Sequence, residues 1–276
     1  MPLALRIGST RTAGARRQAL QLAQHLRTEG HAWEVTALQN EAAQVLLALS
    51  EREIDVAVVS CTKLAQPLQG ALMVAATLPR EDITPYLVHA SLQHKRLAEL
   101  DTAVLLASHP LLAAEWRAAR PGHRITVLEA HTLHEALHTL HAGQADGLLG
   151  YQYELPTQEP GVTLPKLHHP AAYGVWALLA RKDDTLLRDW LMRWHSAETL
   201  WVAAAEQALV GQFAHLPIQG VQLSITQNPS GYTLAATGVG FSAGGVRKQF
   251  SACAEVQKLD TAAIASINNA VVMDSE

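Results

Sequence analysis

Residues 54–63 read Ile-Asp-Val-Ala-Val-Val-Ser-Cys-Thr-Lys. A short run of apolar, β-branched residues is typical of a buried strand, and the polar residues 60–63 then form a loop at its carboxyl end. Strand patterns at 5–7 and 33–38 precede this run, and amphipathic helical patterns separate the three strands. This βαβαβ order predicts a parallel sheet, with ligands expected where its strands end.

The same alternation returns further along the chain. Strand patterns at 102–106, 125–128, 146–149 and 173–181 are separated by helical patterns at 111–119 and 132–141 and by a loop at 152–165. Two helical patterns follow, at 184–195 and 197–213, with Ser196 as the predicted N-cap of the second. In the tail, two strand patterns flank Asn228-Pro-Ser-Gly231, a typical hairpin turn, and a last helix is predicted over 261–271.

Composition excludes several classes of protein. The chain has 276 residues, 49% of them apolar, so it can bury a core. A net charge of −4 argues against nucleic-acid binding, which usually shows as a basic surface. No signal peptide or membrane-spanning run is visible, and only two cysteines are present, which fits a reducing compartment. We expect a cytoplasmic protein with no membrane or nucleic-acid partner and of undetermined oligomeric state.

Short motifs resemble, in order, those of the hydroxymethylbilane synthase (porphobilinogen deaminase) family. The run 54–60 is similar to the family's A-D-I-A-V-H-S, and Arg80-Glu-Asp82 is similar to its R-E-D-P-R-D-A-F-V. Further on, Glu198-Thr199, Ala205-Glu206 and Leu216-Pro217-Ile218 match H-H-E-T, A-E-R and V-P-I-G. The collinear order of these short matches over much of the chain supports the resemblance.

The resemblance implies an α/β fold of two type-II periplasmic-binding-protein-like lobes with a small α+β C-terminal domain. On this basis residues 1–90 and 166–195 are assigned to the first lobe, 91–165 to the second lobe, and 196–276 to the small domain. A ligand would then contact residues at the strand ends of the two lobes.

Two departures from the family concern its chemistry. The family attaches a dipyrromethane cofactor to the cysteine of G-G-C-Q-V-P-I-G, whereas residues 211–218 read Gly-Gln-Phe-Ala-His-Leu-Pro-Ile. We therefore expect no covalent cofactor, and we interpret Cys253, which lies beyond that loop, as a buried core cysteine. The family's catalytic aspartate belongs to H-S-M-K-D-V-P, and an ungapped reading puts Lys63 at its position. A lysine there repels a cationic pyrrole intermediate.

The arginines that the family uses to hold substrate carboxylates are also absent. Its S-S-L-R-R becomes Ser108-His-Pro-Leu-Leu112, and its R-G-N becomes Glu129-Ala-His131. Each such arginine contributes about 1.5–3 kcal/mol through charge-assisted hydrogen bonds. Loss of cofactor cysteine, aspartate and arginines together predicts that no catalytic residues for deamination remain.

Four histidines form a stripe on one predicted helix. His131, His134, His138 and His141 fall within an arc of about 80°. Imidazoles at i,i+3 and i,i+4 can share a metal ion, or one can bind a haem iron axially. A solvated polar face is the alternative, because no carboxylate or cysteine has the spacing that would complete a tetrahedral site.

The remaining candidates are residues of a ligand-binding cleft. Ser60, Thr62 and Lys63 follow the third strand, and Ser108 follows the first strand of the second lobe. Arg11 is either a single anion contact after the first strand or a surface residue. His168 and His169 lie where the chain returns between the lobes, and are either ligand contacts or polar loop residues. Cys61 is either an activated thiol beside Lys63 or a structural residue.

Three functions fit these patterns. The first is a family member in tetrapyrrole or haem biosynthesis without deaminase activity, binding a tetrapyrrole or small molecule. The second is a cytoplasmic two-lobe binding protein for an unrelated small ligand. The third is a family enzyme that works by altered chemistry without a covalent cofactor.

Overall fold

A computed structural model describes residues 4–30, 32–37, 41–64, 68, 70–89, 102–128, 133–155, 161–164 and 166–273, without the side chains of Ala13, Ala37 and His134. The chain divides into two compact units. The first comprises residues 1–81 and 172–203, and the second comprises residues 82–171 and 204–276.

Helices and strands alternate through most of the chain. The helices are α1 (Ala13–Thr28), α2 (Ala42–Ser50), α3 (Pro110–Ala119), α4 (Leu133–His141), α5 (Thr185–Leu191), α6 (Ala197–Val210) and α7 (Thr261–Asn269). The strands are β1 (Leu5–Ser9), β2 (Trp33–Ala37), β3 (Val56–Ser60), β4 (Leu72–Thr77), β5 (Pro85–His89), β6 (Val104–Ala107), β7 (Arg124–Val127), β8 (Gly147–Tyr151), β9 (Gly161–Thr163), β10 (Trp176–Arg181), β11 (Ile218–Asn228), β12 (Gly231–Phe241), β13 (Arg247–Val256) and β14 (Val272–Met273).

The first unit is built on a five-stranded sheet of order β2-β1-β3-β10-β4. Strands β2, β1 and β3 are parallel, and β10 runs antiparallel between β3 and β4. Strand β10 is buried along its whole length and is apolar up to its last residue, Arg181, as expected for the centre of a sheet that is covered on both faces. The predicted βαβαβ order of the first three strands is confirmed.

The second unit repeats this arrangement with the order β7-β6-β8-β5-β9. Strands β7, β6 and β8 are parallel, and β5 is antiparallel to β8 and to β9. In each sheet one antiparallel strand comes from a distant part of the chain. This strand order is that of type-II periplasmic-binding-protein lobes, so the predicted fold class is confirmed.

The C-terminal residues add a sheet of order β11-β12-β13-β14, which belongs to the second unit. Asn228 pairs with Gly231 across the predicted hairpin turn. One face of this sheet packs on α3, where Leu111 contacts Val239 and Phe241. The small α+β element predicted for the tail is therefore present.

Some elements differ from the sequence-based assignment. No strand was assigned to β4, β5 or β9, and β9 lies within the predicted loop 152–165. Strand β5 falls inside the range 1–90 that was assigned to the first lobe, yet it pairs in the sheet of the second unit. The division into three domains at 90, 165 and 195 otherwise stays a prediction.

An ion network holds the first sheet to α2. The Asp55 carboxylate accepts hydrogen bonds from the Arg6 backbone N–H at 2.9 Å and from an Arg181 guanidinium nitrogen at 3.3 Å. Arg181 is only 5% exposed and also donates to the carbonyls of Leu49 and Ile54 at 3.0 and 2.8 Å. Burial alone would raise the pKa of the Asp55 carboxyl, but the hydrogen bonds from Arg6 and Arg181 outweigh burial and lower it.

Replacing Asp55 is expected to destabilise the fold in a pH-dependent way. Asp55→Asn removes the carboxylate that is hydrogen-bonded to Arg181 and Arg6 and leaves only the Asp184 carboxylate, 3.7 Å from Arg181, at a cost of about 1.5–3 kcal/mol near neutral pH. Because the folded-state pKa is lowered, this stability is present above the unfolded pKa of about 3.9 and is lost as pH falls through the folded value. Urea unfolding at several pH values measures it, and a difference between parent and variant that does not shrink on acidification contradicts this account.

Close packing of β11 against α3 requires a glycine at position 220. A Cβ atom there would overlap the Leu111 side chain and lie 2.9 Å from the His168 Cβ. Gly220→Ala is therefore expected to lower the free energy of unfolding by about 1–3 kcal/mol through overpacking.

Gly211→Ala is the matched control, because a Cβ atom at Gly211 meets nothing within 4 Å. It should be neutral or stabilise by up to about 1 kcal/mol. Denaturant unfolding of the two variants compares them directly. Equal stabilities would contradict the packing of β11 on α3.

Candidate functional site

Two parallel strands of the first sheet end side by side. β1 and β3 are neighbours, with Ser9 paired to Val58, so the residues that follow both strands lie at the same edge of the sheet. Arg11 follows β1 with an exposed side chain, and Ser60 is the last residue of β3. The first unit thus places Arg11 and residues 60–63 at its carboxyl edge, and their part in ligand binding stays a prediction.

A short 3-10 helix, Cys61–Lys63, turns the chain after β3. The Ser60 and Thr62 hydroxyls form a hydrogen bond of 2.9 Å, and the Cys61 N–H donates to the Val175 carbonyl at 2.9 Å. The side chains of Thr62 and Lys63 are exposed. The place where the resembled family has its aspartate therefore carries a solvated ammonium group.

The Cys61 thiol points into the protein. It packs against the buried residues Ala172, Val175 and Ala203. This burial raises the pKa of the Cys61 thiol to about 11. The thiolate is the nucleophilic form of cysteine, so this thiol is protonated and unreactive at neutral pH. The structural interpretation of Cys61 is favoured over the activated one.

In the second unit, Glu115 of α3 holds His168 in place. The His168 Nδ1 lies 2.7 Å from one carboxylate oxygen, and its backbone N–H donates to the other oxygen at 2.8 Å. The two residues are only 5% and 7% exposed. In the neutral tautomer whose Nδ1–H donates to this carboxylate, Nε2 is an acceptor.

The His168 Nε2 faces Thr237 of β12. It lies 3.2 Å from the Thr237 Oγ1, and the hydroxyl donates to it in this tautomer. Thr237 is exposed although its two partners are buried. We call this chain of carboxylate, imidazole and hydroxyl the Glu115–His168–Thr237 triad.

Thr237 lies on the wall of an open groove of about 470 Å³ in the second unit. The residues before β5, the His169 segment and the polar face of β11 and β12 form this groove. Its polar and small lining residues include Thr84, His169, Gln222, Ser224, Ala235 and Thr237. Hydroxyl, amide and imidazole groups therefore surround a space large enough for a small organic molecule.

His169 joins the returning segment to β11. Its backbone exchanges hydrogen bonds of 3.2 and 2.8 Å with Val221, and its Nδ1 lies 3.1 Å from the Pro170 carbonyl oxygen. Its Nε2 is 3.7 Å from the fully buried carboxylate of Glu206. Both predicted histidines are thus buried residues with acidic partners, and His169 also lines the groove.

Ser108 lies at the carboxyl end of β6. Its hydroxyl donates to the Glu154 carboxylate at 2.8 Å. The next residues begin α3, where His109 acts as the N-cap and Leu111 and Leu112 are fully buried. The positions that match the family's arginines therefore belong to a helix core and cannot reach a ligand carboxylate.

The histidine stripe is only partly described. His131 and the side chain of His134 lie outside the described residues, and His138 and His141 are exposed on α4. Among the residues that the structure describes, no three His, Cys, Asp or Glu side chains come together as a metal site. The metal hypothesis stays a prediction.

Cys253 is exposed on β13, which corrects the prediction that it is a core cysteine. In β13 alternate residues face the core, and the buried positions are Phe250 and Ala252. Cys253 is one residue out of phase with them, because side chains alternate along a strand.

Glu115, Glu154 and Thr237 were not singled out in the sequence. Glu115 lies four residues after Leu111, on the same face of a helix whose other residues there are apolar. A charged residue among buried apolar residues usually has a polar partner, so the position of Glu115 in this helix could have predicted a buried polar contact. Thr237 lies in a strand of alternating small residues and carried no comparable signal.

A family model described as "Porphobilinogen deaminase, dipyromethane cofactor binding domain" matches residues 27–149. Residues 27–149, less than half of the chain, are similar to this domain of the porphobilinogen deaminase family. The match spans the loop 60–63 and the start of α3, where this chain departs from the residues of the resembled family. No curated protein matches the chain by sequence.

Solved structures match much of the chain at low identity. YhfZ from Shigella flexneri is 15% identical with a TM-score of 0.39, and the match covers 76% of this chain and 96% of that chain. A periplasmic substrate-binding protein of an ABC transporter from Coxiella burnetii is 14% identical with a TM-score of 0.43, covering 72% and 95%. The reduced OxyR regulatory domain from Pseudomonas aeruginosa is 17% identical with a TM-score of 0.43, covering 70% and 100%.

The porphobilinogen deaminase family implies a dipyrromethane cofactor on a cysteine, and the residues of this chain do not fit that group. In the segment 211–218, the side chains of Phe213 and Leu216 are buried and no thiol is present. Cys61 is protonated in a packed environment and Cys253 lies on a strand. No step through this cofactor is therefore derived.

The two cysteines are expected to differ in reactivity. Burial and the raised pKa should make Cys61 react with iodoacetamide at least 100-fold more slowly than Cys253 at pH 7.5, because little thiolate is present. The rate at Cys61 should rise with pH up to about 11. Peptide mass spectrometry of Cys61→Ser and Cys253→Ser variants measures each thiol separately. Comparable rates at the two cysteines would show that Cys61 is activated.

Proposed function

We propose that this chain is a member of the porphobilinogen deaminase family that does not carry out deamination and that binds a tetrapyrrole or its precursor in the cytoplasm. The observation that carries the proposal is Lys63, an exposed ammonium group at the carboxyl edge of the first sheet where the resembled family has a carboxylate.

Charge decides between catalysis and binding at this position. A carboxylate stabilises the cationic intermediate of pyrrole coupling, whereas an ammonium group repels it. Among side chains at this edge of the first sheet, Lys63 and Arg11 are cationic and exposed. These two cationic groups suit the acetate and propionate groups of a tetrapyrrole, because charge-assisted hydrogen bonds from cationic donors to carboxylates are strong.

The second unit supports the same conclusion. Leu111 and Leu112 are buried at the positions of the family's substrate-binding arginines. The ion pairs that hold the carboxylates of a growing pyrrole chain in the family are therefore missing at these positions. The segment 211–218 offers no thiol for a covalent primer. These losses remove chain elongation while leaving the fold intact.

Binding of an unrelated small ligand is the second candidate. The groove in the second unit favours it, since hydroxyl and amide groups line a space of about 470 Å³ that Lys63 and Arg11 do not line. Within the described residues, no helix has the length and apolar character needed to cross a bilayer. No nucleic-acid partner is proposed, because the net charge is −4.

The proposal predicts an unmodified polypeptide mass and no consumption of porphobilinogen by the purified protein. Titration with uroporphyrin should shift its visible absorbance. Lys63→Ala should weaken this binding about 10- to 100-fold, which corresponds to one charge-assisted hydrogen bond of about 1.5–3 kcal/mol. Lys248→Ala, an exposed lysine on β13, is the matched control and should bind as the parent does.

A dipyrrole mass increment or measurable turnover of porphobilinogen would overturn the proposal. Thermal stabilisation by a colourless small ligand, with no absorbance change on adding uroporphyrin, would instead favour the second candidate.

A further inference from the structure

The second unit contains a hydroxyl next to an imidazole and an orienting carboxylate, and none of the three takes part in the tetrapyrrole binding proposed for Lys63 and Arg11. We propose that Thr237 is an acyl-accepting nucleophile, that His168 is its general base, and that Glu115 is the positioning residue. The substrate class is a small ester with polar substituents that fits the groove. This inference is independent of the proposed function.

The geometry meets the requirements for an activated hydroxyl. Nucleophile and base must lie within hydrogen-bond reach, and a third group must orient the base. Thr237 Oγ1 is 3.2 Å from His168 Nε2, and His168 Nδ1 is 2.7 Å from the Glu115 carboxylate. A second bond of 2.8 Å, from the His168 backbone N–H, fixes the carboxylate in this position.

The triad is buried at the carboxylate and the imidazole and exposed at the hydroxyl, as a nucleophile that must meet a substrate requires. Glu115 is 5% exposed and His168 is 7% exposed, so solvent does not compete for their hydrogen bond. Thr237 is exposed and lines the groove, so a carbonyl carbon can approach its oxygen.

The packing around the triad keeps it in register. Gly220 allows β11 to approach both Leu111 and the His168 Cβ, and Gln222, the strand partner of Thr237, donates to the Leu167 carbonyl at 2.9 Å. The Tyr151 hydroxyl donates to the His168 carbonyl at 3.3 Å. Bonds on both sides of His168 therefore hold its ring towards β12.

The reaction follows from these positions. Thr237 Oγ1 attacks the ester carbonyl carbon while its proton passes to His168 Nε2. The C–O bond to the alcohol breaks, and the leaving alkoxide takes the proton from Nε2. Water then attacks the acyl-threonine and gives its proton to Nε2, and the released Thr237 oxygen takes that proton back. The net reaction is hydrolysis of an ester to an acid and an alcohol.

The test uses p-nitrophenyl acetate with the full chain carrying Cys253→Ser, because an exposed thiol also reacts with this ester. Release of p-nitrophenolate is followed by absorbance, and the acetylated peptide is located by mass spectrometry. We expect acetyl on the peptide that contains Thr237. Thr237→Val should lower the release rate at least about 100-fold, since it removes the hydroxyl nucleophile from which His168 would take the proton.

Three variants separate catalysis from structure. Thr237→Ser keeps a hydroxyl and should retain acetylation, whereas Glu115→Gln should slow it by disorienting His168. Thr226→Val removes an exposed threonine hydroxyl of β11 outside the residues that line the groove, and should behave as the parent does. Acetylation of lysines alone, or parental release from Thr237→Val, would overturn the proposal.

Discussion

The hydrogen-bonded pair of Glu115 and His168 is the constraint on which the second unit depends. A carboxylate on a buried helix face is costly unless it is fully paired, and here both of its oxygens accept from one residue. That residue lies in the segment that returns the chain towards the first unit's β10. One buried acid thus fixes a helix and a long connection, and through Thr237 it also fixes the C-terminal sheet.

The same helix also carries two of the positions at which this chain differs from the resembled family. Where the resembled family has arginines, α3 has Leu111 and Leu112, which are fully buried. Leu111 packs against the C-terminal sheet, so this position contributes to the core. At the carboxyl edge of the first sheet, the exposed Lys63 lies where the resembled family has its aspartate. The groove beside Thr237 is lined by neither Lys63 nor the two leucines, and the ester hydrolysis that we propose there does not depend on them.

Local patterns predicted the elements but not their distant partners. The periodicity of α1 and the apolar run of β3 are local signals, and both were correctly assigned. Strand β4 lies between Gly70 and Pro79, which are typical boundary residues of a strand. It was missed because the prediction relied on hydrophobic periodicity alone. Strand β5 begins with a proline, which weakens a strand pattern. For the candidate site, the loop 60–63 and both histidines of the returning segment were found, whereas Glu115 and Thr237 join His168 only through tertiary packing.

The measurement that tests this account most directly is a double-mutant cycle between Glu115 and His168. The free energy of unfolding is measured for the parent, Glu115→Gln, His168→Gln and the double variant. If the pair organises the second unit, the two substitutions should be coupled by about 1.5–3 kcal/mol, the range of a hydrogen bond to a charged group. Effects that add to within about 0.5 kcal/mol would show that the two residues act independently and would contradict the account.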